Sequence, residues 1–249
     1  WQKRAFYEIL WAMKIGFYLL IFSSFFLSKN YAFAWAGRGH SSICEAAVFL
    51  VKEEGLKNFL KHRTYVMSYL CNVPDVDWKT LYKDLHDVGN PTHYIDPEIL
   101  GLKPKDISLE YQTLVRDYTG KPNLYKNDGS VVKNVPHEFG SLWWRADQFV
   151  RRAANLKNDF IQSVFPENIG QEQNNDFRYN KTVFDFMVNI GLMGHFTGDV
   201  SQPFHTSADY DGFSSGHGGI HSYYEDALVD QFDGDLISKI IKEARKNPN

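Results

Sequence analysis

The chain has 249 residues, with 27 Lys and Arg against 30 Asp and Glu, nine His and two Cys. A formal charge of −3 gives no general electrostatic grip on a polyanion, so a bound phosphate must be neutralised locally, by a basic patch or by metal ions. Two cysteines are too few for a disulfide-built scaffold, and neither has a second thiol at metal-ligand spacing, which excludes a zinc-thiolate site.

At the N-terminus Lys3, Arg4 and Lys14 precede or open an apolar run from Ile15 to Leu27. Its thirteen residues fall short of the roughly 20 a spanning helix needs. Polar Ser28-Lys29-Asn30, then small Ala32 and Ala34, complete a secretory signal over residues 1–34. Cleavage after Ala34 predicts a secreted or periplasmic chain with no stable membrane anchor and with Trp35 as its new N-terminus. What remains is residues 35–249, with 23 basic and 29 acidic side chains, formally −6. That length suits one domain with a substantial core, expected to be a monomer. An exported chain can oxidise Cys44 and Cys71 into one bridge; the free-thiol state is the one expected.

Apolar residues then recur at helical spacing in segment after segment. Ile43, Ala46, Ala47, Leu50 and Val51 form one stripe, and Tyr111, Leu114, Val115 and Tyr118 another. Phe149, Val150, Ala153 and Ala154 follow, then Leu228, Val229 and Phe232, and last Leu236, Ile237, Ile240 and Ile241. Strand-type alternation is almost absent, so the fold class is all-α, a single multi-helix domain. Loops are expected at Gly89-Asn90-Pro91, 120–129, 166–175 and 209–219. From Val183 to Met193 the sequence is apolar nearly all round, as in a central buried helix. One line, Phe184, Val188, Gly191, His195 and Asp199, carries two ionisable side chains into that core, where they need partners.

From residue 195 the sequence reads HFTGDVSQPFHTSADYDGFSSGHGGIHSYYED. His195 and Asp199 stand at i, i+4, His205 follows Pro203, and His221 and Glu225 repeat the i, i+4 pair. Paired His and carboxylate on successive helix turns is how a helix grips zinc. One pair alone reads equally as core histidine; two pairs with His205 between them do not. Upstream lie His40, facing the core one turn before Ile43, then Asp75 and Asp77 in NVPDVDWK, and His93 in THYIDPE with Asp96 nearby. A freed α-amino group at Trp35, with a reference pKa near 8, can also bind a metal, its own carbonyl closing a five-membered chelate.

Trp35-x4-His40, Pro74-Asp75, HYID, then HxxxDxxxxxH and HxxxE resemble the zinc-dependent phospholipase C and S-one/P-one nuclease superfamily, from Trp35 to Glu225. The resemblance implies a helical fold with a zinc cluster in a cleft. It implies three Zn2+ ions: one on Asp75, His93, His195 and Asp199, a second on His205, His221 and Glu225, a third on the Trp35 terminus, His40 and bridging Asp199. Asp77 remains an alternative to Asp75. It also implies in-line attack of a zinc-bound hydroxide on a phosphate ester, with Asp75 a candidate catalytic base as in the phospholipase branch. Metal ions would bring the positive charge that the composition lacks. Relatives of this kind usually continue with more helix beyond Glu225, so both a complete chain and a fragment remain open readings.

The substrate splits between phospholipid, placed first, and single-stranded DNA or RNA; a catalytically inactive zinc-stabilised exported protein is the rival of another class. Glu225 in place of Asp, and the short interval from His205 to His221, look like the phospholipase branch. The Gly39-His40 pair looks like the nuclease branch. Arg38 and Val76 depart from a choline-binding pattern, and Arg38 becomes a candidate for another head group. Tyr94 and Asp96 resemble positions that stack and hydrogen-bond a base, stacking being worth roughly 1–3 kcal/mol; for Tyr94 plain packing is the equal reading.

GFSSG at 212–216 fits the serine-esterase pattern, which requires a strand before it and a helix after it. It lies here in a Gly-rich loop, so Ser214 is rejected as a nucleophile. His217 competes with His221, but a carboxylate follows four residues on at His221 alone. His62, His86 and His137 read as surface residues, Trp143 and Trp144 as core or cleft wall, and 239–246 as the solvated face of a terminal helix. No P-loop or dinucleotide fingerprint is present, so no nucleotide cofactor is expected.

Overall fold

The computed structural model describes residues 36–80, 83–164, 167–232 and 235–246. The predicted leader, its cleavage point and Trp35 therefore lie outside the described residues. The longer helices are α1 (Ala36–Leu50), α2 (Glu54–Lys61), α3 (Thr64–Val73), α4 (Tyr111–Tyr118), α5 (Leu142–Ile161), α6 (Arg178–Val200) and α7 (Leu236–Lys246). Short helical turns join them. Isolated antiparallel bridges, Ile95 with Gly140 and Pro122 with Val131, take the place of strands among the described residues, so the fold is all-α. No helix among them is long and apolar enough to cross a membrane.

The core forms around α6. Leu192 and Phe196 of α6 pack on Leu142, Ala146 and Phe149 of α5, with the Phe149 and Phe196 rings stacked at 5.6 Å. On another side Met187 meets Val48 of α1, Leu60 of α2 and Met67 of α3. The one polar side chain buried mid-way along α6, Asn189, is satisfied: its amide donates to the Asp185 carbonyl and its oxygen accepts from Arg152 Nε at 2.8 Å. A separate cluster of Ile95, Ile99, Leu114, Val132, Val135 and Phe139 carries the loops on the far side of His93, with Trp143 and Trp144 against it.

Two glycines set how closely α6 is approached. A Cβ at Gly191 would lie 2.4 Å from Leu70 Cβ of α3, and one at Gly194 would lie 2.5 Å from Cys44 Sγ of α1. Both helices can thus reach the part of α6 that carries His195 and Asp199.

Several expectations need correction. Cys44 and Cys71 are joined in a disulfide between α1 and α3, not free. On α1 the inward line is His40, Cys44 and Val48, with Ala47 exposed; the stacking of His40 and the bridge turn the helix from its purely apolar stripe. On α5, Val150 and Ala154 face outward beside buried Phe149 and Ala153. On α6 the line through Gly191, His195 and Asp199 is buried, but Phe184 is 69% exposed, the packing at that turn being made by Val183 against the Met187 cluster and by Phe186 against Phe160. The loops at 120–129 and 209–219 are as expected, whereas Asn90–Thr92 forms a 3-10 turn and Ile169–Glu172 a short helix.

Candidate metal centre

The ionisable side chains of the centre arrive on several separate elements. His40 comes from α1, and His195 and Asp199 from successive turns of α6. Asp75 sits on a π-helical turn, Pro74–Thr80, that continues α3. His93 closes the Asn90–Thr92 turn, His205 lies in the turn Pro203–Thr206, and His221 and Glu225 span the short helix Ile220–Ser222 and the π-helical turn after it. All eight are buried.

Three of the histidines are locked from behind. His195 Nδ1 is 2.7 Å from the Cys71 carbonyl, His93 Nδ1 is 3.0 Å from the Gly89 carbonyl, and His205 Nδ1 bonds the His93 carbonyl. A carbonyl only accepts, so each Nδ1 carries the proton and each Nε2 presents a lone pair inward, the arrangement metal-binding histidines use.

Those inward atoms face one another. His40 Nε2 is 3.2 Å from Asp199 Oδ1 and 3.9 Å from Asp75 Oδ2. His195 Nε2 is 3.3 Å from Asp199 Oδ2, and His93 Nε2 is 3.6 Å from Asp75 Oδ1. Glu225 Oε1 lies 3.3 Å from His205 Nε2 and 2.8 Å from His221 Nε2. Yet both nitrogens of His40, Nε2 of His93, His195 and His205, both oxygens of Asp199 and Oε2 of Glu225 make no hydrogen bond. So many buried polar atoms left unpaired on one place would be costly without a ligand to satisfy them. They fall into three sets whose donor atoms lie within 4.8 Å of each other: His40, Asp75 and His195; His93, His195 and Asp199; His205, His221 and Glu225. Nitrogen and oxygen donors of this kind, without thiolate, suit zinc and comparable divalent ions.

Protonation favours binding at most of these groups. Burial, reinforced by the neighbouring His195, lowers the His40 pKa, and burial with Lys79 pushes His93 down to about 3, so both are neutral donors. Burial opposes the Asp75 charge, but Lys79, His195 and His93 overcome it and hold the carboxyl at about 2. Asp199 and Glu225 are likewise held low by their histidines against burial. His205 goes the other way: burial would lower it, and Asp199 and Glu225 raise it, so a metal there competes with a proton for Nε2.

Two residues of the site escaped the sequence reading. Lys79, 7% exposed, sets its ammonium 2.7 Å from Asp75 Oδ1; its signal was readable as the i, i+4 spacing in PDVDWK. Gln202, fully buried, donates to Glu225 and accepts from the Phe204 amide at 3.0 Å, and SQPFH carries no signal for it. Asp75 is the carboxylate turned into the cluster, while Asp77 is half-buried and joins none of the three sets.

None of the proposed substrate residues belongs to the three donor sets. Arg38 donates to the Asp230 and Phe232 carbonyls and pairs with the Asp230 carboxylate at 3.4 Å. Tyr94 is half-buried and its hydroxyl donates to the His137 carbonyl. Asp96 is brought near the cluster because the Ile95 amide bonds the His205 carbonyl at 2.9 Å; burial and neighbouring Glu98 raise its pKa to about 7. The centre opens at His221, whose side chain is 11% exposed and meets the exposed Tyr210 ring at 5.7 Å. Ser214 is exposed, bonded to Tyr125 Oη at 2.7 Å, with no strand before it. His217, His62 and His137 are exposed, and His86 pairs with Asp87.

No protein-family model and no solved structure matches the chain. A curated protein named as a probable serine protease, from Bradyrhizobium tropiciagri, is 23% identical over 255 residues, covering 81% of this chain and 32% of that protein. The chain thus spans about a third of the length of that relative.

Proposed function

We propose that this chain is an exported phosphodiesterase of the zinc-dependent phospholipase C type, acting with three zinc ions. One observation carries the reading: inward-facing donors of His40, Asp75, His93, His195, Asp199, His205, His221 and Glu225 meet in one buried place, and most of their inward atoms make no hydrogen bond, although Lys79 pairs with Asp75 and Gln202 donates to Glu225. The residue order in the sequence, which resembles that superfamily, supports it independently. Zinc held there would supply Lewis acidity toward a phosphoryl oxygen and lower the pKa of bound water toward about 7.

The chain's own residues do the rest. Carbonyls of Gly89, Cys71 and His93 hold three imidazoles in the donating tautomer. Asp75, held near 2 beside Lys79, is a weak base at neutral pH and serves better as a ligand and orienting group. A phosphate ester would enter beside His221, the most exposed ligand of its set. Because Tyr94 spends its hydroxyl on His137 and is half-buried, its ring suits packing better than base stacking, which favours phospholipid over nucleic acid. Serine-protease chemistry, as in the name of the relative, finds no support at Ser214, whose hydroxyl bonds a tyrosine.

The test is product analysis. Exported, zinc-loaded chain is offered phospholipid vesicles and single-stranded nucleic acid together, with products identified by mass spectrometry. Diacylglycerol with a phosphorylated head group is expected. Mononucleotides would move the substrate to nucleic acid, and zinc binding without either product would refute the enzyme reading.

A further inference from the structure

The Cys44–Cys71 bridge lies directly behind the metal centre. On α1, Cys44 is one turn after His40, so the ligand and the sulfur share a face. On α3, the carbonyl of Cys71 is the acceptor that orients His195 at 2.7 Å, and Asp75 follows four residues later on the continuing turn. On α6, the bridge occupies the space above Gly194, next to His195: a Cβ there would meet Cys44 Sγ at 2.5 Å and Cys71 Sγ at 3.5 Å. The His40 and His195 rings stack at 4.1 Å just beyond it. The sulfurs are therefore wedged between three elements that carry His40, Asp75 and His195, while His205, His221 and Glu225 come from a separate stretch of chain.

We propose that this disulfide positions the metal ligands and makes metal loading sensitive to thiols: the two donor sets that share His195 are tight when the bridge is formed and weak when it is reduced. The third set is indifferent. Reduction breaks the S–S bond, takes two electrons and two protons from a thiol pair that itself becomes a disulfide, and leaves two buried thiols. Two thiols must separate to van der Waals contact, and in a close-packed interior that separation moves α1 and α3 against α6. The movement shifts His40 relative to His195 and alters the carbonyl that fixes the His195 tautomer. Losing such a partner behind a ligand weakens metal affinity roughly 10- to 100-fold. In a reducing compartment the centre would stay incompletely loaded, and oxidation would complete it. The inference rests on the metal-centre reading and not on the choice of substrate.

The deciding measurement is zinc content under a graded chelator challenge, on the oxidised full chain, on the same chain reduced with a phosphine that is then removed without air, and on a Cys44→Ala/Cys71→Ala chain. Helicity is followed by circular dichroism. The oxidised chain is expected to keep its zinc. The reduced chain, at unchanged helicity, is expected to release the ions of the His195 sets about tenfold more readily or worse, and to keep one ion that His221→Ala removes. The alanine chain, which lacks the sulfurs that must part, should hold its zinc more tightly than the reduced chain where it folds, and a hold no tighter than the reduced chain's would overturn the separation argument. Equal retention in both redox states overturns the proposal, and so does loss of all zinc together with helicity, which would make the bridge purely a matter of folding. An oxidised chain that binds no zinc overturns this proposal and the metal-centre reading together. Zinc bound in the expected redox pattern without phosphodiester hydrolysis upholds this proposal and removes the phosphodiesterase reading alone.

Discussion

Replacing Lys79 with methionine would remove a buried ammonium while keeping most of its apolar length, and the consequence depends on whether zinc is bound. In the metal-free protein the ammonium is 2.7 Å from Asp75 Oδ1. The Asp75 carboxyl sits at about 2 instead of 3.8, a preference for the charged form of roughly 2.5 kcal/mol. Burial pushes the other way, so the favourable interactions with Lys79, His195 and His93 together exceed that net figure. Removing one partner of a buried pair costs about 3–5 kcal/mol. At about 2–4 °C per kcal/mol for a domain of this size, the metal-free variant should melt roughly 6–20 °C below the natural chain. Zinc supplies the lost positive charge, so the loaded variant should melt within a few degrees of the loaded natural chain. The sign with pH follows: a carboxylate with a depressed folded pKa contributes above its unfolded value of about 4 and loses that contribution as pH falls toward about 2. The gap between the metal-free proteins should therefore narrow in acid. Thermal melts with and without zinc check this. An equal drop in both states, or none in the metal-free state, would refute the idea that Lys79 stands in for metal charge at Asp75.

Three further outcomes are expected. Asp75→Asn should lower zinc stoichiometry and abolish phosphodiester hydrolysis while Asp77→Asn leaves both near the natural level, as read by elemental analysis and turnover; the reverse would exchange the two carboxylates. Because Asp199 and Glu225 raise the His205 pKa, zinc should leave that set first as pH falls below neutrality, with proton uptake on release measurable by calorimetry; affinity independent of pH between about 8 and 6 would contradict it. Ser214→Ala should leave hydrolysis unchanged, and loss of activity in a folded variant would return the loop to the site.

What was legible in the sequence and what was not divide along a physical line. His195 with Asp199 and His221 with Glu225 are i, i+4 pairs, and a helix turns such spacing into proximity by itself. The same local rule would have exposed the Asp75 and Lys79 pair. The Cys44–Cys71 bridge spans 27 residues and depends on how α1 meets α3, which no local period encodes. Ala47 fitted the apolar stripe of α1 but ended exposed, because what faces α3 and α6 there is a histidine and a cystine, neither of which scores as part of that stripe. Phe184 failed for a similar reason: at its turn the packing is made by Val183 and Phe186, which its own line of residues does not include.

Charge ties the composition to the chemistry. Asp75, Asp199 and Glu225 are all held ionised, while His40 and His93 are driven neutral. Lys79 returns one positive charge, and His205, raised by its carboxylates, returns part of another. The metal-free cavity thus keeps a negative excess in a place shielded from water, the reverse of what a phosphate ester needs. Raising Lys or Arg content elsewhere would not cure this, since exposed charges more than about 10 Å away are screened. Divalent ions in the donor sets would invert the sign locally, turning a site that repels phosphate into one that attracts it. An acidic protein can therefore act on an anionic substrate on one condition: its loaded and metal-free forms must differ in affinity for inorganic phosphate. A metal-free form that bound phosphate as tightly as the loaded one would break the link between these carboxylates and phosphate chemistry.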